Sequence, residues 1–254
     1  MYAHSLEGRT VLVTGASAGI GAAIARAAAH AGARVLLAAR RADRLADLAA
    51  SLPTEAHALA LDVRDAGSVE GALAALPEPW RSVDVLVNNA GLGRDLQPVY
   101  ENSLDGIAEV IETNVTGLLA VTRAVVPGML ARGRGHVVNI GSIAGRQVYP
   151  GGTVYCASKA AVAAITEGLK MDLHGTPIRV TNVEPGLVET EFSLIRFRGD
   201  AERAEKVYAD TTPLTPDDVA DAVLYAITRP AHVCVADMLL IPTAQSSVTM
   251  MKRG

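Results

Sequence analysis

Thr14-Gly15-Ala16-Ser17-Ala18-Gly19-Ile20-Gly21 follows directly on the apolar run Thr10 to Thr14 and opens into an Ala-rich stretch of helical character. Each glycine has a separate task in that order. Gly15 permits a tight turn, Gly19 lets the backbone approach a pyrophosphate, and Gly21 lets the helix lie close to the strand. The helix start adds amide donors and the positive end of a dipole. Glycines alone are a weak signal. With a strand before them and a helix after them they read as a dinucleotide loop, which puts Gly15, Ser17, Gly19, Ile20 and Gly21 on a cofactor.

Outward from this loop, short β-rich runs recur at Arg34 to Ala39, His57 to Leu61, Val83 to Val87, His136 to Ile140, Arg179 to Val183 and Met238 to Ile241. Helical segments alternate with them, at Gly19 to Ala31, Arg41 to Leu52, Ala66 to Leu76, Leu104 to Arg132, Val154 to His174 and Pro216 to Thr228. Strands alternating with helices pair in parallel through right-handed crossovers. The reading is α/β: one doubly wound parallel sheet of about seven strands with helices on both faces, a single domain over residues 1–254. No repeat or Gly/Ser/Pro linker marks a second domain. The stretch from Gly186 to Asp210 lacks strict periodicity and follows a strand's carboxyl end, as a substrate loop or lid does.

Composition narrows the class. Half of the 254 residues are apolar but only 4% are aromatic, so the core is built from Ala, Val, Leu and Ile. The net charge of −4 offers no general attraction to nucleic acid or anionic membrane, and neither partner is expected. Met1 to Arg9 is too polar for a signal peptide, and no apolar run is long enough to span a bilayer, so a cytoplasmic protein is expected. Two isolated cysteines, Cys156 and Cys234, suit neither a disulfide framework nor a metal site, and no metal is expected.

The cofactor's identity depends on the end of the second strand, where an enzyme for NAD places a carboxylate on the ribose. This chain has Arg40 and Arg41 there and no carboxylate at the strand end, which favours a 2′-phosphate and hence NADP(H). Asp43, recruited to a ribose hydroxyl, would weaken that preference. Asp62 and Val63, after the third strand, are placed to flank the adenine, although an Asp at a strand end also serves as a helix cap.

Tyr155 and Lys159 stand one helical turn apart at the start of a long helix, so both project from one face. A nearby ammonium stabilises a phenolate and lowers its pKa toward neutrality, which makes Tyr155 the candidate acid/base. Ser142 closes the fifth strand, where its hydroxyl can polarise a substrate oxygen. Asn114 lies in the long helix beside that strand and is placed to hold a water linking Lys159 to solvent.

Together, Thr14 to Gly21, Asn88-Asn89-Ala90-Gly91, Asn114, Ser142, Tyr155 with Lys159, and Pro185-Gly186 with Thr190 resemble the ordered motifs of the short-chain dehydrogenase/reductase superfamily, over nearly the whole chain. The resemblance implies a Rossmann-like fold and a catalytic tetrad of Asn114, Ser142, Tyr155 and Lys159, with Lys159 also on the nicotinamide ribose. It implies that Asn88 to Gly91 line the central sheet and cofactor cleft, that Pro185, Gly186, Val188 and Thr190 meet the nicotinamide end, and that the chain is a homotetramer. Leu76-Pro77-Glu78-Pro79-Trp80, Asp172 to Thr176, Thr190-Glu191-Phe192-Ser193 and Arg196 to Asp200 are further similar to the NADP-dependent 3-hydroxy acid dehydrogenases that act on serine, allo-threonine and 3-hydroxypropionate. Sulfoacetaldehyde reductases resemble the same subgroup.

A small hydroxy or oxo acid needs a cation, best a bidentate arginine. Arg196, in the loop that closes over the nicotinamide, is the leading candidate, followed by Arg146 and Arg94 at other strand ends. Tyr149 and Gln147 are candidate hydrogen-bond partners. The alternatives are a reductase of a bulkier neutral carbonyl and, outside enzymes, an NADP-sensing protein, for which Tyr155 with Lys159 at this spacing has no physical use.

Overall fold

The computed structural model describes residues 5–254, so the expectation for Met1 to Arg9 falls partly outside the described residues. Seven parallel strands, β1 (Thr10–Thr14), β2 (Arg34–Ala39), β3 (Ala56–Ala60), β4 (Val85–Asn88), β5 (Gly135–Ile140), β6 (Ile178–Pro185) and β7 (Asp237–Leu240), form one sheet in the order β3-β2-β1-β4-β5-β6-β7. The chain reverses its direction of travel between β1 and β4, and the crevice outside the strands' carboxyl ends opens at that switch.

Nine helices cover the sheet: α1 (Gly19–His30), α2 (Ala42–Ser51), α3 (Ala66–Ala74), α4 (Leu104–Ile111), α5 (Leu118–Arg132), α6 (Thr153–Asp172), α7 (Phe192–Arg196), α8 (Ala201–Tyr208) and α9 (Pro216–Ile227) among the described residues. Strand alternation decides what each face meets. Val11, Val13, Val35 and Leu37 point to α1, α2 and α9, whereas Leu12, Leu36, Leu86 and Val137 point to α3 and α5. Both faces are covered, which is why the strands read as continuous apolar runs. Each buried Leu or Val contributes about 1.5–3 kcal/mol.

Local signals set several helix ends. Asp65 accepts from the Ser68 amide at the start of α3, Thr215 and Asp218 form a reciprocal capping box before α9, and Gly133 ends α5 at φ 65°.

Two expectations change. The stretch 186–210 is not irregular: it holds α7 and α8, the latter capped by Asp200 accepting from the Arg203 amide, with Phe197 buried beneath. α7 has five residues, too few to display a period. Also, Leu104–Arg132, 29 residues long with a mean hydropathy of 1.3 over its most apolar 18, is long and apolar enough by length and composition to cross a membrane. It is one helix because a π-helical turn, Glu112–Gly117, joins α4 to α5. Here it serves as a core helix, burying Val110, Val121, Val125 and Met129, and the π turn carries the buried Asn114.

Candidate active site

The carboxyl ends of β1, β2, β4, β5 and β6 border a cleft of about 760 Å³. On one side lies the loop Gly15–Gly21. Gly15 has φ +66°, and a Cβ there would stand 2.9 Å from Ala90 Cα. At Gly21 a Cβ would meet Gly15 O at 2.4 Å, so only glycine lets α1 begin this close to β1. Ala18, at the start of α1, offers no side-chain acceptor to the first amides of the helix. Those unclaimed donors, glycine-lined and facing a deep cleft, fit a dinucleotide pyrophosphate.

Thr14 and Asn89 lock this loop to β4. The Thr14 hydroxyl donates to Val87 O at 3.3 Å and accepts from the amides of Asn89 and Ala90, both at 3.0 Å. Asn89 Nδ2 donates back to Thr14 O at 2.9 Å. Asn88 instead turns into the sheet, donating to Thr122 Oγ1 and Asn139 Oδ1, each at 2.9 Å.

Ser17, Ile20, Arg40, Arg41, Asp62, Val63, Ala90, Gly91, Pro185, Gly186, Val188 and Thr190 all line the cleft, while Asp43 does not. Arg41 Nε donates to Ser17 Oγ at 3.1 Å, and Arg40 is exposed at the rim. Asp62 pairs with Arg64 at 2.6 Å, and the Arg64 hydrogen bond holds the Asp62 carboxyl below its ordinary range. No carboxylate sits at the end of β2, but one does reach Arg41. It comes from Glu191, far away in sequence, and pairs with Arg41 and Arg44.

At the other end of the cleft α6 presents Tyr155 and Lys159. Lys159 is buried and donates from Nζ to Ile140 O at 2.7 Å, and burial pulls its ammonium down to about 8. Burial pushes the Tyr155 phenol up to about 12, opposed chiefly by the Arg196 guanidinium and less by a hydrogen bond with Ser142. The expected lowering by Lys159 is therefore corrected. Its Nζ lies 6.0 Å from the phenol ring centroid and is directed at a backbone carbonyl. Ser142 also accepts from the Ala144 amide at 3.1 Å. The Asn114 side chain accepts from Leu92 N at 2.9 Å and donates to Leu92 O at 2.8 Å and Ser158 Oγ at 3.0 Å, bridging the loop after β4 to α6. Ser158, three residues from Tyr155, gave no sign in the sequence of this contact.

The candidate substrate residues separate. Arg196 stands 4.9 Å from the Tyr155 ring centroid and 4.8 Å from that of Phe192, and Nη2 donates to the Tyr149 hydroxyl at 3.1 Å. Among the described residues no carboxylate pairs with it. Arg94 lines the cleft but is held by both oxygens of Glu109, at 2.7 and 2.8 Å, and donates to Ile195 O, which braces α7. Arg146 and Gln147 are corrections, because neither borders the cleft. Arg146 is held by Glu184 and Asp237, and Gln147 accepts from the Val248 amide at 2.9 Å. Their side chains are spent on joining the loop after β5 to the sheet edge and the C-terminal segment. Phe192 and Tyr208 are not among the candidate site residues, although Phe192 stands in the Thr190-Glu191-Phe192-Ser193 stretch. They border the cleft, and Tyr208 carries no sequence signal beyond being an aromatic residue in an aromatic-poor chain.

The profile of the short chain dehydrogenase family matches residues 9–197. The NADP-dependent 3-hydroxy acid dehydrogenase of Salmonella typhi is 48% identical over 237 residues, covering 93% of this chain and 96% of that protein. That of Schizosaccharomyces pombe is 42% identical over 253 residues, covering 98% of each. Among solved structures, the closed form of a serine dehydrogenase complexed with NADP+ matches with a TM-score of 0.91 and 45% identity, over 96% of this chain and 99% of that one. With the profile matched over most of its length and such relatives over nearly all of it, the chain belongs to the short-chain dehydrogenase family.

Proposed function

We propose that this protein is an NADP(H)-dependent oxidoreductase that interconverts a small 3-hydroxy acid, of the serine, allo-threonine or 3-hydroxypropionate type, and its oxo acid or semialdehyde. The observation that carries the substrate class is Arg196. It is a guanidinium with no carboxylate partner among the described residues, stacked against the ring of the candidate acid/base inside the cleft, with Tyr149 steadying it. A fork at that place suits a short acid's anionic group, whose small apolar area gives little other binding energy. The relatives named for 3-hydroxy acids and for serine support the same class.

NADP+, when bound, supplies the hydride acceptor at its nicotinamide. Gly15, Ser17, Gly19 and Ile20 would hold the pyrophosphate, Arg40 and Arg41 the 2′-phosphate, and Pro185, Gly186, Val188 and Thr190 would border the nicotinamide. In the oxidative direction the phenolate of Tyr155 takes the hydroxyl proton of the substrate and becomes the phenol, and in the reductive direction the phenol returns that proton. Ser142 donates to the substrate oxygen and fixes its position. Arg196 neutralises the acid group and also favours the phenolate electrostatically. Asn114 holds Leu92 and α6 in place around them. A homotetramer belongs to the same reading, supported by Tyr100, just before α4, and Leu104, its first residue, large apolar side chains more than 80% exposed.

The test is initial-rate turnover of L-serine, L-allo-threonine, 3-hydroxypropionate, sulfoacetaldehyde and a neutral aldehyde, with wild type and Arg196→Ala. We expect Arg196→Ala to raise KM for the preferred acid about 100-fold, the scale of a lost charge-assisted fork, and to leave KM for the neutral aldehyde nearly unchanged, while the loss of its support for the phenolate changes kcat for both alike. Equal rises in KM on acid and neutral substrates, or wild-type activity on neutral carbonyls alone, would overturn the acid assignment.

A further inference from the structure

Glu191 stands immediately before α7 and reaches across the cleft mouth to the start of α2. Its Oε2 accepts from Arg41 Nη1 at 3.0 Å, and Arg44 Nη1 donates to both of its oxygens at 2.8 and 3.0 Å. Arg41 uses its Nε on Ser17 of the glycine loop. The guanidinium beside the phosphate loop is therefore already holding an anion of this chain's own. All three side chains are roughly 40% exposed, so the pair is open to exchange. The two arginines hold the Glu191 carboxyl below its ordinary range, Arg44 by the stronger hydrogen bond.

We propose that Glu191, held in place by Arg44, is a specificity-determining residue that competes with the cofactor's 2′-phosphate for Arg41, and so weakens binding of the phosphorylated cofactor while sparing its 2′-hydroxyl counterpart. The inference rests on the reading that Arg41 receives the 2′-phosphate. A phosphate carries up to two negative charges and three strong acceptors, so it outcompetes one carboxylate, but it must displace Glu191 or share Arg41 with it. A cofactor with a free 2′-hydroxyl leaves the Glu191 pairs intact and meets no such penalty. The sequence hides this residue because Glu191 lies 150 positions from Arg41 and outside the segment where a ribose carboxylate is sought.

The experiment is calorimetric binding of 2′,5′-ADP and 5′-ADP to wild type, Glu191→Gln and Arg41→Ala, at low and high ionic strength, each variant first matched to wild type by thermal melting. Glu191→Gln keeps the side chain's size and removes its charge. We expect it to tighten 2′,5′-ADP about threefold to fivefold, the scale of an exposed ion pair, with 5′-ADP unchanged and the gain shrinking as salt rises. Arg41→Ala should weaken 2′,5′-ADP selectively. If Arg41→Ala weakens 2′,5′-ADP but Glu191→Gln leaves the ratio of the two affinities unchanged or lowers it, the competition is refuted and the phosphate reading stands. If Arg41→Ala does not change that ratio, the phosphate reading fails and the competition fails with it.

Discussion

At the scale of single residues, chemistry depends on what surrounds a side chain more than on its type. Tyr155 and Lys159 share one face of α6, yet burial moves them in opposite directions, the phenol up to about 12 and the ammonium down to about 8. Each shift disfavours the charged form, and the nearest correction to the phenol comes from Arg196. Tyr155→Phe should lower kcat by about 10²–10⁴, the usual share of a positioned acid/base, while binding of 2′,5′-ADP stays within error of wild type. Stopped-flow or steady-state rates check this, and a loss under tenfold would assign the proton to another group. The sequence marks Tyr155, Lys159 and Ser142 well, because helical spacing and strand ends are local properties. It put Arg196 ahead of Arg146 and Arg94 only by its place in the loop after β6, because the sequence does not show what holds each guanidinium. Only their partners separate them: Glu109 for the first, Glu184 and Asp237 for the second, and aromatic rings for the third.

Among the elements, Arg146 works as a fastener. It joins the loop after β5 to Glu184 on β6 and Asp237 on β7, and the Glu184 side chain is only 2% exposed. Arg146→Met strips a buried carboxylate of its cation, which should cost about 1–3 kcal/mol of stability, reduced from a fully buried pair by the exposure of Arg146 itself. Urea unfolding checks the loss, and Arg146→Met with Glu184→Gln should recover part of it. KM for the acid should stay near wild type, and a raised KM with unchanged stability would return Arg146 to the substrate. α1 and the long central helix were legible as elements because their apolar periods run over many turns. α7 and α8 were not, since five and eight residues give too short a period to separate from a loop. The π turn at Asn114 was likewise invisible, as a widened turn leaves the run of helix formers unbroken.

The whole molecule's acid stability turns in part on His136, buried in β5. Thr181 donates its hydroxyl to Val235 O at 2.6 Å, so it accepts from His136 Nε2 at 2.7 Å, and Nδ1 faces no partner. Burial, helped by Arg179, pulls the ring down to about 3 from 6.5. Between those values the unfolded chain takes up a proton that the folded one refuses, so stability falls as pH drops from 6.5 toward 3, by up to about 1.4 kcal/mol per pH unit. Denaturant midpoints of wild type and His136→Leu from pH 7 to 4 should show the variant losing less, and parallel curves would exclude His136 as a source. The sequence by itself determined the order of strands and helices, the glycine loop, the arginines after β2 and the Tyr-Lys pair. Each rests on residues within a turn or a strand of one another, where propensity and period act. The tertiary structure alone decided which of Arg94, Arg146 and Arg196 has no carboxylate partner among the described residues, that Glu191 reaches Arg41, and that the phenol is pushed up rather than down. Those outcomes depend on burial and on partners tens to hundreds of residues away, brought together only when both faces of the sheet are covered.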